Sequence, residues 1–256
     1  MRFLKGHGTE NDFVVLPDVD GALDLTPALV QRLCDRRAGL GGDGVLRVVR
    51  SAHVPEADPA TEWFMDYRNA DGSAAEMCGN GVRVYARYLV HAGLVAPGHL
   101  RLATRGGVKE VDVPAFGDVS VDMGPAVVGE PVDVDGAPAT SVDMGNPHAV
   151  LHVPSVDGLG ELKTSRLDLN VEYVEDVSPT AIRMRVHERG VGETRSCGTG
   201  ACAAVVATAL RTGTPRDTTY DVEVPGGHLA VTWREDGHVV LAGPAVLVAE
   251  GELWAD

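Results

Sequence analysis

The sequence predicts an α+β fold of two pseudo-symmetric domains. Each is a strongly curved, mostly antiparallel sheet wrapped around a central helix, with the active site in the cleft between them. Three observations lead there. A short motif occurs twice, as Ser73-Ala74-Ala75-Glu76-Met77-Cys78-Gly79-Asn80-Gly81 and as Glu193-Thr194-Arg195-Ser196-Cys197-Gly198-Thr199-Gly200. Each Cys-Gly-polar-Gly opens an apolar, Ala/Leu/Val-rich run (82–90 and 201–210) long enough for a buried helix, behind residues that suit a helix N-terminus. Short strand-like runs make up most of the rest, so each half reads as a sheet around one helix. The cysteines lie 119 positions apart in a chain of 256, and Gly106-Gly107 and Gly226-Gly227 follow them at nearly the same distance. Asn11-Asp12-Phe13-Val14-Val15-Leu16 also faintly echoes Asn146-Pro147-His148-Ala149-Val150-Leu151. This is duplication of a domain-sized unit, not a short-period solenoid.

Residues 1–16 read as one strand interrupted by a loop and ending in Phe13-Val14-Val15-Leu16. A helix follows at 26–36, with Pro27 just inside its start, and Cys34 in it reads as a small core residue. Gly39-Leu40-Gly41-Gly42-Asp43-Gly44 has the form G-x-G-x-x-G. The dinucleotide fingerprint requires strand, loop, helix; here the order is helix, loop, strand (45–49), so that site is rejected. The glycines read instead as a loop that is mobile or approaches a ligand. Residues 51–62, with Pro55 and Pro59, form a loop. Strand 63–67 delivers the turn Asn69-Ala70-Asp71-Gly72-Ser73 just before the first thiol. Runs 100–104 and 108–113 pair as a hairpin around Gly106-Gly107.

The Gly/Pro-rich stretch 123–138 reads as a crossing between domains. Residues 1–122 form the Cys78 half, joined by the C-terminal strand 245–256, and 123–244 form the Cys197 half. The second half repeats the pattern: Gly145-Asn146-Pro147-His148 turns into a strand, then come 169–174, 181–186, the second thiol motif and short strands at 222–224, 229–233, 239–241 and 245–248.

Composition bounds the function. A hydrophobic content of 44% suffices for a core, and with aromatics at 5% Val, Ala and Leu must fill it. A net charge of −15 argues against nucleic acid and anionic membranes. No apolar run approaches a membrane span, and the first residues lack a secretory apolar region, so the expected location is cytoplasmic and the expected partner a small molecule. Four cysteines do not make a disulfide scaffold.

A thiol at a helix N-terminus can have its pKa lowered toward neutrality. Two such thiols on opposite faces of one carbon can remove a proton and return another, inverting the centre. Backbone donors of Gly79, Asn80, Gly198 and Thr199 would hold an α-carboxylate and stabilise charge developing on it. No pyridoxal lysine, metal or other cofactor is then required. Three alternatives stand beside this reading: two inert core thiols, a redox disulfide, and a zinc site, for which the Cys197/Cys202 spacing fits no common ligand pair. His148, in a turn entering a strand, and Glu188, one short loop before Cys197, are candidate assistants. Taken alone, they would read as a hydrogen-bonded turn residue and a solvated charge.

Four blocks together resemble the diaminopimelate epimerase family over essentially the whole chain. They are Gly8-Thr9-Glu10-Asn11-Asp12-Phe13; Asn69-Ala70-Asp71-Gly72-Ser73 through Cys78-Gly79-Asn80-Gly81; Met144-Gly145-Asn146-Pro147-His148; and Glu188-Arg189-Gly190-Val191-Gly192-Glu193-Thr194 through Cys197-Gly198-Thr199-Gly200-Ala201-Cys202-Ala203. Proline racemases look similar around both cysteines but carry histidine after the first Cys-Gly, where this chain has Asn80. Phenazine-biosynthesis-type isomerases share the fold and lack the thiol pair. The resemblance implies cofactor-independent interconversion of LL- and meso-2,6-diaminopimelate in lysine and peptidoglycan-precursor synthesis. It implies Cys78 as donor thiol and Cys197 as acceptor, with His148 and Glu188 tuning them. Asn11, Asn69, Asn146, Asn170, Glu188 and Arg189 become substrate contacts, with Arg189 able to fork onto the distal carboxylate. It also implies a homodimer. Two positions depart from the family pattern. Thr9-Glu10 replaces a common Leu-Gly, and Gly44 stands where some members place a substrate-contacting glutamine. These keep a same-fold racemase of another amino acid as the runner-up, and a non-catalytic amino-acid binder or redox sensor as the third class.

Overall fold

The computed structural model describes residues 1–254, so the last two residues of the 245–256 segment lie outside it. The chain forms two compact units, one from residues 1–121 and 244–254, the other from residues 122–243. The first unit contains β1 (Arg2–Gly8), β2 (Asn11–Pro17), α1 (Pro27–Cys34), β3 (Gly44–Arg50), β4 (Trp63–Asn69), α2 (Gly79–His91), β5 (Gly98–Thr104), β6 (Gly107–Val113) and the start of β7 (Val119–Pro125). The second contains β8 (Val127–Val128), β9 (Val132–Val134), β10 (Ala137–Asp143), β11 (Pro147–His152), β12 (Asn170–Ser178), β13 (Ala181–Glu188), β14 (Gly192–Thr194), α3 (Gly198–Thr212), β15 (Thr219–Val224), β16 (Gly227–Trp233) and β17 (His238–Gly243). Finally β18 (Val246–Glu252) pairs antiparallel with β1 in the first unit.

The duplication is visible in the strand directions. In the first unit β1–β2 is antiparallel, β2–β3 parallel, β3–β4 antiparallel, β4–β5 parallel, and β5–β6 and β6–β7 antiparallel. In the second, β10–β11 is antiparallel, β11–β12 parallel, β12–β13 antiparallel, β13–β15 parallel, and β15–β16 and β16–β17 antiparallel. Parallel neighbours need a crossover. α2 and α3 provide the second crossover of each unit. The first is made by α1 in one unit and by the helix-free segment 153–169 in the other.

Each long helix packs on strands from both ends of its own sheet. α2 touches β1, β2, β3, β4, β6 and β18, and α3 touches strands from β10 to β17. A sheet whose opposite ends reach one helix must curl around it. Small residues permit this: in α3, Gly198, Gly200 and every residue from Ala201 to Ala209 are buried. A helix apolar on all sides belongs inside a core. Cys202 is fully buried there, and Cys34 lies in a cluster with Val14, Leu16, Val30, Leu33 and Val45. Among the described residues no helix is long and apolar enough to cross a membrane.

Two expectations need correction. The stretch 123–138 is not a bare crossing, because it holds β8, β9 and the start of β10. Its Asp135-Gly136 pair, both with positive φ, makes a two-residue hairpin turn between β9 and β10. The run 1–16 is not one strand but the hairpin β1–β2, turning at Thr9 (φ 48°) and Glu10 (φ 61°). That conformation costs an L-residue roughly 1–2 kcal/mol, offset for glycine by about 0.5–1 kcal/mol of unfolded-state entropy. Glu10→Gly is therefore expected to raise stability by roughly 0.5–1 kcal/mol, or about 1–3 °C in Tm. A lower Tm would contradict this account of the turn.

Candidate active site

Both thiols occupy the same local geometry. Cys78 is the N-cap of α2 and Cys197 the N-cap of α3, each in extended backbone conformation. Each sulfur accepts the backbone N–H three residues on, from Gly81 and from Gly200, at 3.4 Å in both cases. The cap holds each sulfur at the positive end of a helix, beside first-turn N–H groups that no intrahelical carbonyl can satisfy. The approach to each thiol is pinned the same way. Gly106 N–H donates to Glu76 O at 2.8 Å, and Gly226 N–H donates to Arg195 O at 2.9 Å. In each unit a hairpin glycine thus holds the carbonyl two residues before the cysteine. All four cysteines are thiols.

Around Cys78, the sulfur donates to Asn11 Oδ1 at 3.6 Å, and Asn80 Nδ2 donates to the same oxygen at 3.2 Å. Asn11 Nδ2 donates to Asp43 Oδ2 at 2.7 Å. A carboxylate only accepts, so Asp43 fixes which end of the Asn11 amide faces the sulfur. Asp43 is held in turn by Arg36 Nη2 at 2.8 Å, and Arg36 also forks onto Asp12. Burial pushes the Asp12 carboxyl up, but Arg36 and Lys5 outweigh it and hold the group well below the usual carboxylate range. Asn69 closes β4 opposite Gly44, and its side chain donates to Ser73 Oγ, holding the turn that leads to Cys78.

Around Cys197, His148 Nδ1 lies 2.7 Å from Glu172 Oε1 and its Nε2 lies 3.1 Å from Asn146 Oδ1. His148 and Glu172 are both fully buried. Asn170 opens β12 beside His148 in parallel register. It donates to Pro147 O and accepts from the Arg189 N–H at 3.0 Å, while the Arg189 side chain is exposed. Glu188 closes β13 and accepts from the Thr194 hydroxyl. Cys197 Sγ lies 3.5 Å from Thr199 Oγ1.

The expected lowering of the thiol pKa does not hold at Cys197. Burial pushes it well above the ordinary value, and Glu188 and Glu172 add to this; the Thr199 hydroxyl and the Gly200 N–H pull the other way without prevailing. Cys34 is likewise pushed up by burial, to about 11. In the unfolded chain both thiols return to about 8.5. Their stabilising contribution is therefore complete below about pH 8.5 and is lost as pH rises above it. At pH 8, iodoacetamide is expected to modify Cys197 at least roughly tenfold more slowly in the folded protein than in the urea-unfolded chain. Equal rates would contradict this placement of the sulfur.

The family model for diaminopimelate epimerase matches residues 3–129 and 140–248. The chain belongs to the diaminopimelate epimerase family. Diaminopimelate epimerase of Streptomyces coelicolor is 58% identical, covering 98% of this chain and 95% of that protein. That of Thermobifida fusca is 49% identical, covering 99% and 98%. Among solved structures, a PhzF-family phenazine biosynthesis protein of Bacillus anthracis superposes with a TM-score of 0.77 at 15% identity, covering 100% of this chain and 99% of that one. A hydroxyproline epimerase of Agrobacterium vitis superposes with a TM-score of 0.73 at 14% identity, covering 98% and 91%. At such identities the likeness concerns the fold alone, which is the expected α+β two-domain architecture.

In this member of the diaminopimelate epimerase family, Gly44 has a steric reason. A Cβ there would lie 2.5 Å from Arg68 O and 2.7 Å from Tyr67 Cε2, so no side chain fits without moving β4. No sequence motif points to Asp43, Glu172 or Thr194 by itself. Asp43 was hidden in a loop read for its glycines. Glu172 carried one usable signal: a carboxylate inside an otherwise apolar strand run must find a partner.

Proposed function

We propose that this protein interconverts LL- and meso-2,6-diaminopimelate by cofactor-independent proton exchange between two thiols, serving lysine and peptidoglycan-precursor synthesis. The observation that carries this reading is the paired capping geometry, with each sulfur accepting an N3 amide at 3.4 Å. One sulfur, as thiolate, takes the α-proton. The other, as thiol, delivers a proton to the opposite face, and the planar intermediate between these events carries its charge on the α-carboxylate. Backbone N–H groups of Gly79, Asn80, Gly198 and Thr199, at the two positive helix ends, bind that carboxylate. In this scheme His148 and Glu188 adjust the proton affinity of the thiols. Asn11, Asn69, Asn146, Asn170, Glu188 and Arg189 hold the amino and distal carboxylate groups. Cys78 acts as the donor and Cys197 as the acceptor, and in the reverse direction the buried Cys197 is the thiol that returns the proton. The reading includes a cytoplasmic homodimer.

Incubation with LL-diaminopimelate, followed by separation of the stereoisomers, tests the assignment. Appearance of the meso form without added pyridoxal phosphate or metal is the expected result. No conversion, together with racemisation of proline, glutamate or histidine, would favour a same-fold amino-acid racemase instead.

A further inference from the structure

We propose that Glu172 is a positioning residue for this reaction: its buried carboxylate holds the His148 ring in place beneath the first turn of α3. The inference rests on the reading of His148 and Cys197 as working groups.

The duplicated frame supplies an internal control. In the second unit His148 lies beside Asn170 at the head of β12, with Glu172 two residues further along that strand. At the matching places in the first unit, Phe13 lies beside Gly44, and Leu46 is two residues along β3. The correspondence extends to the helices. A Cβ built on Gly81, the third residue of α2, would meet Leu46 Cδ2 at 3.2 Å and Phe13 Cζ at 3.6 Å. A Cβ built on Gly200, the third residue of α3, would meet Glu172 Oε1 at 2.6 Å and Cys197 Sγ at 3.3 Å. The same niche under the same helix turn therefore holds an apolar pair in one unit and a His–Glu pair in the other. The fold is satisfied by the apolar version. A buried ionisable pair is often no more stabilising than well-packed hydrophobic residues of similar size, so stability gives no reason for His148–Glu172.

The geometry gives another. Glu172 Oε1 accepts from His148 Nδ1 at 2.7 Å, which fixes the ring's rotation and leaves Nε2 directed at Asn146. Among the described residues Glu172 Oε2 has no hydrogen-bond partner, so His148 is the group that answers the carboxylate. Oε1 can reach the helix turn below Cys197 because residue 200 lacks a side chain.

The test uses Glu172→Gln, His148→Gln, and a double variant, His148→Phe with Glu172→Leu, that copies the first unit. The double variant is expected to unfold at or above the wild-type midpoint and to lose at least about 100-fold in kcat. Glu172→Gln retains an acceptor but no charge; kcat is expected to fall by about 10–100-fold with KM changed less than about twofold. Its Cys197 alkylation profile should move to lower pH, because one carboxylate facing that sulfur is gone. Glu188 from β13 and Thr199 and Gly200 from α3 remain around the sulfur, and the Cys78 profile should not move. Wild-type kcat in Glu172→Gln or in the double variant would overturn the proposal. So would unfolding of every variant, which would make the pair structural. An inactive His148→Gln beside a fully active Glu172→Gln would overturn this inference alone, whereas full activity in both would remove His148 from the reaction as well.

Discussion

Serine in place of either Cys78 or Cys197 is expected to lower kcat for epimerisation by roughly 10³–10⁴-fold while leaving the protein folded. Both halves of that expectation come from the caps. Each sulfur accepts the N–H of the third helical residue, from Gly81 or Gly200. Serine is among the preferred N-cap residues and can accept the same bond, so α2 and α3 keep their first turns. A hydroxyl, however, holds its proton far too tightly to exchange it with a carbon acid near neutral pH. Alanine removes the cap as well and should cost about 1 kcal/mol of stability beyond serine. Urea midpoints of the Ser and Ala variants, measured beside their kcat, separate the two effects. A serine variant retaining more than about a tenth of wild-type activity would show that its thiol is not a proton carrier.

Gly200→Ala is expected to be the most damaging single-methyl change near the second thiol, lowering kcat by roughly 10²-fold. The new Cβ would lie 2.6 Å from Glu172 Oε1 and 3.3 Å from Cys197 Sγ. The carboxylate cannot simply swing away, because it is fully buried and tied to His148 at 2.7 Å. Stability should change less than activity. Overpacking typically costs about 1–3 kcal/mol, and alanine's better helix propensity offsets about 1 kcal/mol of that. Gly81→Ala is the matched comparison. Its Cβ would meet Leu46 Cδ2 at 3.2 Å and Cys78 Cβ at 3.4 Å, tight but apolar contacts that can yield by a few tenths of an ångström. Gly81→Ala should keep most of its activity. Equal losses in the two variants would mean that the helix turn itself, not the Glu172–His148 pair beneath it, sets the sensitivity.

The sequence made the helices legible because each is long, apolar and announced by the same Cys-Gly-polar-Gly. His148 was legible because its turn motif stands out within a family block. Other features depend on contacts that no local pattern records. Glu172 finds its partner 24 positions away across a parallel strand pair, and Asp43 reaches Asn11 across 32 positions. Strands β8 and β9 are two and three residues long, too short for alternation to show, so the Gly and Pro residues around them read as a linker. The raised proton affinity of Cys197 was hidden for a related reason. A helix N-terminus can be inferred from sequence, but the burial and the two carboxylates that outweigh it come from β12, β13 and the surrounding sheet.

The proposed mechanism requires two sulfurs to serve one carbon from opposite sides, and the position of the isotope label tests that most directly. LL-diaminopimelate is converted in deuterium oxide and stopped after a few per cent of reaction, and the α-carbon label is read by mass spectrometry in product and in unreacted substrate. Two thiols predict deuterium in nearly all of the meso product, with almost none in the remaining LL form. Meso product that keeps the substrate's own proton would mean that a single base carries it across, and would contradict the two-thiol account.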